Sequence, residues 1–385
     1  MVKVLNIITR LERGGAPMAL LETMRRLPTN EFQMDLVAGK TDDPGLDLAD
    51  EIAASDISLI YVPELRRNPH PIRDLITLWK LIRIIRKGQY DLVHTHTSKA
   101  GFLGRIAAWL CRTPAVVHSP HGTVLEGYFS PFITWMYAFL ERVTAPMANK
   151  IICLTSREID QYLAAHIGQH NQYTFIYNGI DIDAFSQPIE GNAELRQSLV
   201  IPQDATLCVT VGRLVPVKGQ ADLIEAFAIA HKEHPNLHLM LVGEGELRRE
   251  LESLTAKHDL TEYVHFVGWR EDVVNLLAIS DIFVLPSHNE GLGLVIIEAM
   301  ARSLPVIATE VGGVPEVVMH GETGILTPAH APDQFAQALV KLAANNTQRQ
   351  EMGKAGYARA LDFFSITSTA RQTGELYKEL IGASA

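Results

Sequence analysis

Short apolar runs alternate with amphipathic segments of helical period along almost the whole 385-residue chain. Runs such as residues 34–39 and 115–122 have the apolar character typical of strands buried on both faces of a parallel sheet. Because parallel strands need crossover connections, the alternation predicts a doubly wound α/β sheet. It stops in the polar stretch 183–204 and starts again at 205–213. The restart predicts two such sheets in tandem.

This interruption divides the chain into two domains of the Rossmann-like α/β class. We expect residues 1–183 to form the first domain, residues 184–364 the second, and residues 365–385 a C-terminal helix. The chain is 47% apolar, and its length suffices for two domains of roughly 180 residues each. Because ligands of such sheets bind at the carboxyl ends of the strands, we expect the two domains to face each other across a cleft.

Composition and charge exclude several classes of protein. The net charge of −10 argues against general nucleic-acid binding. The cysteines Cys111, Cys153 and Cys208 stand alone in apolar surroundings, which predicts reduced core residues of a cytosolic protein and no zinc site. Residues 1–10 read as a strand rather than a signal peptide. No apolar run reaches the roughly 18 residues that a membrane-spanning helix needs. We therefore expect a cytoplasmic protein.

The stretch 280–305 carries the strongest candidate site. A strand at 282–285 is followed by a glycine-containing loop and a helix at 294–301. Free N–H groups at the helix start favour an anion, while Glu290 in the loop and Glu298 in the helix can accept hydrogen bonds from hydroxyls. A nucleotide sugar carries both phosphate and hydroxyl groups. The alternative makes Glu290 a capping group and Glu298 a solvated helix residue.

The loop at 211–219 directly follows the first strand of the predicted second domain. Arg213 and Lys218 lie five residues apart on it and are expected at the carboxyl end of that strand. Arg can bond two oxygens at once and Lys supplies a compact charge, so the pair suits a diphosphate. The alternative is that both are ordinary surface charges.

Further strand ends carry candidates in both domains. Gly14 and Gly15 separate the first strand from a helix, as in a mononucleotide-binding unit, although a tight turn would explain them too. His121 lies at the end of the predicted strand at 115–122 and is expected to enter the cleft from the first domain. In the second domain, glycine turns at 242–246 and 266–272 can hold a base and phosphate through backbone groups. The donor-binding candidates there are Gly243, Phe266 and Val267.

Metal binding is not expected. Asp181 and Asp183 form a D-x-D sequence, but they lie at the domain boundary, where a turn or a helix cap explains them. No other Asp/His group has the spacing of metal ligands.

The segment 64–87 contains seven basic and two acidic residues together with an apolar stripe of helical period. It fits either a core-packed helix with a solvated face or a helix that contacts anionic lipid or a diphosphate-linked acceptor. Residues 127–140 contain no charged residue and six aromatic ones. The aromatic side chains either pack internally or line a lipid or acceptor surface. These aromatic residues are Tyr128, Phe129, Phe132, Trp135, Tyr137 and Phe139.

Taken together, these motifs resemble those of the retaining glycosyltransferases of family 4, which have the GT-B fold. The resemblance covers nearly the whole chain. In the second domain it rests on GRLVPVKG (212–219), VGEGELR (242–248) and E-G-x-G-L-x-x-x-E-A (290–299). The first domain adds the Gly-Gly loop, HTHTSKAGFLGR (94–105), SPHGT (119–123) and NGID (178–181).

The resemblance implies a role for each candidate. Glu298 would bind the ribose hydroxyls and Glu290 those of the donor sugar, while Arg213 and Lys218 would hold the diphosphate. His121 would contact the transferred sugar near the reacting carbon. The catalytic set is then His121, Glu290, Arg213 and Lys218, without metal or other cofactor, and the last helix would return to the first domain. Backbone groups that would support the donor lie at Gly15, Gly243, Phe266, Val267, Gly291, Leu292, Gly293 and Leu294.

The implied reaction moves a hexose or N-acetylhexosamine from a nucleoside-diphosphate sugar, UDP in preference to GDP, to a sugar hydroxyl. The stretch TSKAGFLGR resembles the branch that builds polysaccharide on lipid carriers, so we expect a glycan or lipid-linked glycan acceptor. That branch works at the inner membrane face, which agrees with a membrane contact by the region from Arg66 to Lys87. A nucleotide-sugar epimerase and a non-catalytic nucleotide-sugar-binding subunit remain alternatives. The sequence does not fix the donor sugar.

Overall fold

The computed structural model describes residues 1–41, 47–53, 55–122, 125 and 130–382. The chain forms two compact units, of which the first comprises Met1–Gly179 and Ile366–Ala385 and the second Ile180–Ser365. The predicted domain boundaries follow residues 183 and 364, whereas the structure divides the chain after residues 179 and 365. Each unit is built on its own parallel sheet.

The first unit contains a seven-stranded parallel sheet in the order β3-β2-β1-β4-β5-β6-β7. Its strands are β1 Val2–Ile8, β2 Phe32–Ala38, β3 Ser58–Tyr61, β4 Leu92–His96, β5 Ala115–Ser119, β6 Lys150–Cys153 and β7 Tyr173–Phe175. Its helices up to this point are α1 Gly15–Arg26, α2 Ala49–Ala53, α3 Pro71–Gly88, α4 Ser98–Cys111, α5 Pro131–Thr144 and α6 Ser156–Ala164.

Side chains of this sheet alternate between two cores, as the two-residue period of a strand requires. Val4 and Ile8 of β1 belong to a core that also contains residues of α1. Leu5 and Ile7 belong to a core on the opposite face, with residues of α3 and α4. The sheet is therefore covered on both faces, and the prediction of a doubly wound α/β sheet is confirmed.

The second unit contains a six-stranded parallel sheet in the order β10-β9-β8-β11-β12-β13. Its strands are β8 Thr206–Val211, β9 Leu237–Val242, β10 Val264–Gly268, β11 Ile282–Leu285, β12 Val306–Thr309 and β13 Gly324–Thr327. Its helices are α7 Ile182–Ser186, α8 Asn192–Ser198, α9 Gln220–Glu233, α10 Arg248–Lys257, α11 Val273–Ala278, α12 Leu294–Ala301, α13 Val314–Val317, α14 Pro332–Ala344 and α15 Asn346–Phe363.

The last helix, α16, spans Ile366–Gly382 and belongs to the first unit. It packs against α1, and the hydroxyl of its Tyr377 lies 2.6 Å from Nδ1 of His94 on β4. The sequence predicts one helical region over 331–384, whereas the structure has three helices. Asn345 separates α14 from α15. Its side chain accepts a hydrogen bond from the Gln348 amide and so caps the start of α15.

Both sheets reverse their strand order at one position. In the first unit β1 lies beside β4, and in the second β8 lies beside β11. Loops leaving the carboxyl ends of such neighbours run to opposite faces and leave a crevice between them, which is the usual ligand position in doubly wound sheets. The loops after β8 and β11 carry Arg213, Lys218 and Glu290, and the loop after β1 carries Gly14.

Candidate functional site

The loops after β8 and β11 touch through their backbones. A single 3-10 turn, Pro216–Lys218, ends at Gly219, whose φ is +67°. A Cβ atom at Gly219 would lie 2.1 Å from the carbonyl oxygen of Pro286, so only glycine permits this approach. The amide of His288 donates to the carbonyl oxygen of Val217 at 2.8 Å. The two loops therefore form one continuous wall of the crevice.

Lys218 and Glu290 meet on this wall. Nζ of Lys218 lies 2.5 Å from Oε2 of Glu290, and Oγ of Ser287 donates to the same oxygen at 3.1 Å. The side chains of Lys218 and Glu290 are only 20% and 15% exposed. Helix α12 is capped by the backbone of Gly293 with no side-chain bond, so the interpretation of Glu290 as a helix cap is wrong.

Arg213 lies five residues before Lys218 and is exposed. Among the described residues its guanidinium has no ion-pair partner, whereas its carbonyl oxygen accepts a bond from Nε2 of Gln220 at 3.0 Å. The backbone just before it is packed against Gly243, where a Cβ atom would come within 2.1 Å of the Gly212 carbonyl oxygen. Arg213 therefore lies on the same loop as Lys218 and, among the described residues, its cationic group is not engaged by a carboxylate.

Glu298 lies in the second turn of α12 and is partly buried. Its carboxylate has no hydrogen-bond or ion-pair partner within the described ranges. Desolvation raises the pKa of Glu298 to about 7. Only part of the Glu298 side chain is therefore in contact with solvent. A carboxylate without a partner in the protein can accept hydrogen bonds from the hydroxyls of a ligand in place of water.

The start of α12 supplies backbone donors and is tied to its neighbours. Gly293 precedes the helix with φ +76°, and the amide of Gly313 donates to the carbonyl oxygen of Gly291 at 2.7 Å. Leu292 is buried, and the first amides of the helix from Leu294 lack acceptors within the helix, as at any helix start. These groups can bind an anion.

The predicted base-binding turns lie together at the ends of β9 and β10. The amide of Gly243 donates to the carbonyl oxygen of Gly268 at 2.8 Å. Arg248 lies 5.7 Å above the ring of Phe266, donates to its carbonyl oxygen at 3.3 Å, and pairs with Glu244 at 2.6 Å. Val267 lies between Phe266 and Gly268 on β10. Glu244 therefore orients an arginine at this end of the sheet.

In the first unit, His121 ends a chain of polar side chains. Its φ is +60°, and its Nε2 lies 2.9 Å from Nδ1 of His96. Nε2 of His96 lies 3.1 Å from Oδ1 of Asn6, and Nδ1 of His121 lies 3.3 Å from Nδ2 of Asn178. An amide oxygen only accepts and an amide nitrogen only donates, so the bonds run in one direction: His96 donates to Asn6, His121 donates to His96, and Asn178 donates to His121.

Burial keeps these imidazoles neutral. Desolvation lowers the pKa of His121 to about 4, and that of the buried His96 well below its ordinary value. The His121 ring is thus held in one tautomer and orientation by two neighbours. Thr123, the last residue of the SPHGT motif, lies outside the described residues.

Gly15 is the first residue of α1 and follows Gly14 at the carboxyl end of β1. Nearby, the hydroxyls of Thr9 and Thr97 lie 3.0 Å apart, and the Thr9 hydroxyl accepts a bond from the Ala100 amide at 3.2 Å. Thr97 has φ +63°, which is uncommon for a β-branched residue. The residues that follow β1 and β4 are therefore joined by a side-chain hydrogen bond.

Comparisons with known proteins decide the family. The family model for glycosyl transferases group 1 matches residues 191–359, and that for glycosyltransferase family 4 matches residues 13–184. A D-inositol 3-phosphate glycosyltransferase of Streptomyces scabiei is 32% identical over 309 residues, which cover 76% of this chain and 68% of that protein. The chain belongs to the group 1 glycosyltransferases.

Two further proteins resemble this glycosyltransferase along nearly its whole length. The first is a UDP-Gal:alpha-D-GlcNAc-diphosphoundecaprenol alpha-1,3-galactosyltransferase of Escherichia coli, 29% identical over 383 residues that cover 99% of this chain and 97% of that protein. The second is the crystal structure of HepE of Anabaena in complex with UDP-glucose, with a TM-score of 0.83, 24% identity, and coverage of 98% and 100%. The GT-B fold expected from the sequence is confirmed.

In this glycosyltransferase the TSKAGFLGR motif builds the packing of α4. A Cβ atom at Gly101 would lie 2.4 Å from Cε1 of His118, and one at Gly104 would lie 2.6 Å from Cγ2 of Thr95. Arg105 is fully buried and pairs with Glu141 of α5 at 2.7 Å. The motif therefore fixes how closely α4 approaches β4 and β5, the strands that precede Thr97 and His121.

Several site residues were not predicted. Ser287, Asn6 and His96 have no individual signal, although the alternation in HTHT places His94 and His96 on one face of β4. The fold also brings together Asp222, His288 and His330. No local spacing predicts this group, because 66 and 42 residues separate its members in the sequence.

The interpretation of the D-x-D sequence as a helix cap is confirmed for Asp181. Its Oδ1 accepts a bond from the amide of Ala184 at 3.1 Å and so begins α7. The prediction that the protein binds no metal stays a prediction.

The basic segment forms α3, and its apolar stripe faces outward. Ile72, Leu75 and Trp79 are 68%, 69% and 57% exposed, while Thr77 and Leu81 form the buried side of the helix. The helix therefore packs on the core, but most of its apolar stripe faces solvent, and of the stripe only Ile82 packs against the core. On α5, Phe132, Trp135 and Phe139 are exposed, whereas Tyr128 and Phe129 lie outside the described residues. Among the described residues no helix is both long and apolar enough to span a bilayer.

Proposed function

We propose that this glycosyltransferase moves a hexose or N-acetylhexosamine from a UDP-sugar to a sugar hydroxyl of a lipid-linked or polysaccharide acceptor, with retention of configuration. The observation that carries the proposal is the Lys218–Glu290 pair, held where the strand order of the second sheet reverses. The printed activity of the Escherichia coli relative, transfer of galactose from UDP-Gal to a diphosphoundecaprenol-linked sugar, supports this class of donor and acceptor.

Donor binding would exchange the partners of the Lys218–Glu290 ion pair. Without donor, Glu290 neutralises the largely buried Lys218. A diphosphate would take over Lys218 and Arg213 through charge-assisted bonds and release Glu290 for the hydroxyls of the sugar. The unpartnered carboxylate of Glu298 would accept the ribose hydroxyls. Because Glu298 has a pKa of about 7, hydroxyl donors would favour its ionised form and hold the nucleoside.

The same groups would stabilise the leaving diphosphate. Negative charge grows on the diphosphate as its bond to the sugar breaks. Arg213, Lys218 and the first amides of α12 would stabilise that charge. His121, neutral and fixed by His96 and Asn178, would contact the transferred sugar rather than act as a charged group. The leaving phosphate would take the acceptor proton in a front-side attack, so no separate general base is assigned.

A thermal-shift and calorimetric screen of UDP, GDP, UDP-glucose, UDP-galactose and their N-acetyl forms tests the donor assignment. A ligand that binds the native state raises its melting temperature. We expect UDP-sugars to bind, and Arg213→Ala to weaken binding where Arg249→Ala, an exposed arginine on α10, does not. If the wild type and Arg213→Ala bound UDP-sugars equally well, the assignment of Arg213 to the diphosphate would be wrong.

The dependence of turnover on an acceptor distinguishes a transferase from the two alternatives, an epimerase and a non-catalytic binding subunit. An epimerase would convert its nucleotide sugar without acceptor, and a binding subunit would hold the donor without turnover. We expect release of UDP to depend on a lipid-linked glycan acceptor and the product to keep the anomeric configuration of the donor. Analysis of the product by NMR decides the configuration.

We further propose that α3 binds the anionic inner face of the cytoplasmic membrane. Its outer face is apolar in the first half, with Ile72, Leu75 and Trp79, and basic in the second, where Arg83 lies 5.3 Å above the Trp79 ring. Such a helix buries its apolar face among lipid headgroups while its cations attract anionic lipid.

Flotation with vesicles tests this contact. We expect binding to phosphatidylglycerol vesicles in low salt, weaker binding to phosphatidylcholine vesicles, and loss of binding in Leu75→Ser/Trp79→Ser. The matched control is Trp109→Ser on α4, which is 58% exposed and outside the stripe. Binding that is unchanged in the double variant would contradict the proposal.

A further inference from the structure

Asp222, His288 and His330 converge on the second unit from three separate elements. Asp222 lies in the first turn of α9, His288 follows β11, and His330 follows β13. Oδ2 of Asp222 lies 2.9 Å from Nε2 of His288 and 3.4 Å from Nδ1 of His330. The three atoms all lie within 4.8 Å of one another.

The arrangement around these atoms limits which side chains can move. The two imidazole rings lie with their centroids 3.8 Å apart. His288 is held through its amide, which donates to Val217, whereas the His330 side chain is 67% exposed. His330 also has φ +57°. The exposed ring can rotate to adjust its distance to Asp222 while the other two side chains stay in place.

Two imidazole nitrogens and one carboxylate oxygen form a donor set that selects among metals. Magnesium and calcium prefer sets of oxygen ligands, whereas imidazole suits zinc and its neighbours in the first transition row. Bonds of roughly 2.0–2.2 Å from such ions place neighbouring ligand atoms about 3.3 Å apart in a tetrahedron. The distances from Asp222 to the two histidines lie on either side of this value.

We propose that Asp222, His288 and His330 bind a zinc-type divalent cation, with the fourth position open to solvent. The ion would join the start of α9 to the loops after β11 and β13. It would also fix His288, two residues before Glu290. The site stands apart from the proposed transfer chemistry, which routes no step through a metal, and it is tested without any nucleotide.

Titration with Co²⁺ and Zn²⁺ tests the site in full-length protein freed of any histidine tag. We expect one Co²⁺ per chain with the intense visible absorption of a tetrahedral site, displacement by Zn²⁺, and a higher melting temperature with Zn²⁺ but not with Mg²⁺. Asp222→Asn and His330→Asn should each weaken binding by more than the roughly 10–100-fold that loss of an outer-shell partner causes. Asparagine at position 330 tolerates the positive φ, so the variant keeps its backbone.

His258→Asn is the matched control, because His258 pairs with the carboxylate of Glu225 at 2.9 Å and, among the described residues, belongs to no group of three possible metal ligands. Its Co²⁺ spectrum should equal that of the wild type. Absence of a tetrahedral spectrum in the wild type would overturn the proposal. So would a spectrum that survives both Asp222→Asn and His330→Asn, since the ion would then bind elsewhere.

Discussion

Nζ of Lys218 lies 2.5 Å from Oε2 of Glu290, although 72 residues separate them in the chain. They meet because β8 and β11 are neighbours in the sheet, so the loops at their carboxyl ends share one wall. The contact couples a cation suited to a diphosphate with an acid suited to a sugar. Each charge is balanced without ligand, and each can exchange its partner for part of the donor.

Replacement of Lys218 by alanine tests this arrangement. We expect the transfer rate to fall by about 10²–10³, because one group that stabilises the leaving diphosphate is lost. Circular dichroism should show an unchanged fold. Lys257→Ala, an exposed lysine at the end of α10, is the control and should keep the wild-type rate. A wild-type rate in Lys218→Ala would contradict the assignment.

Glu298 should make stability depend on pH in an unusual direction. Its pKa is about 7 in the folded chain and 4.5 as an isolated group. Between these values the folded state binds more protons than the unfolded state, so stability is highest below pH 4.5 and falls as the pH rises through 7. The difference corresponds to at most about 3 kcal/mol at 1.36 kcal/mol per pKa unit.

Glu298→Gln removes this ionisation while it keeps the shape of the side chain. We expect the variant to be more stable than the wild type at pH 8 and the advantage to shrink towards pH 4.5. Urea unfolding of both proteins across this range measures it. A constant difference between the two would show that Glu298 ionises normally in the folded chain.

His121 should act in the opposite sense. Burial lowers its pKa from 6.5 to about 4, so below pH 6.5 the unfolded chain takes up a proton that the folded chain does not. This contribution to stability is complete above pH 6.5 and is lost as the pH falls towards 4. We expect His121→Asn to reduce the acid sensitivity of the melting temperature.

His166→Asn is the control for that variant. His166 has a similar φ of +55° but is exposed, and asparagine tolerates both positions. The difference in melting temperature between pH 7 and pH 5 should match the wild type in His166→Asn and be smaller in His121→Asn. Equal differences in both variants would mean that His121 titrates as an exposed histidine.

Local sequence patterns predict the two sheets well, because strand–helix alternation and apolar runs are local properties. They also place Arg213, Lys218, Glu290 and His121 at strand ends, although their chemical roles stay predictions. They cannot pair Lys218 with Glu290, since that contact depends on which strands become neighbours. The His121–His96–Asn6 chain depends on strand order in the same way.

The α3 helix illustrates a different limit. A helical period reveals an apolar stripe, but it does not tell which side of the helix packs on the sheet. In α3 the sheet side is formed by Thr77, Leu81 and Ile85, so the stripe with Leu75 and Trp79 is left outside. Only the packing of α3 against α4 settles this orientation.

The buried Arg105–Glu141 pair provides a last prediction, about stability alone. Both side chains are at least nine-tenths buried, and the pair links α4 to α5. Arg105→Met should destabilise the first unit by about 3–5 kcal/mol, because it leaves the Glu141 carboxylate buried without its countercharge. Arg105→Met/Glu141→Leu should cost less than Arg105→Met, since no uncompensated charge remains. Arg25→Met, which breaks an exposed pair with Glu22 on α1, should cost under about 1 kcal/mol. Urea unfolding of the wild type and these three variants measures the differences in stability. A double variant no more stable than Arg105→Met would show that packing rather than charge governs this contact.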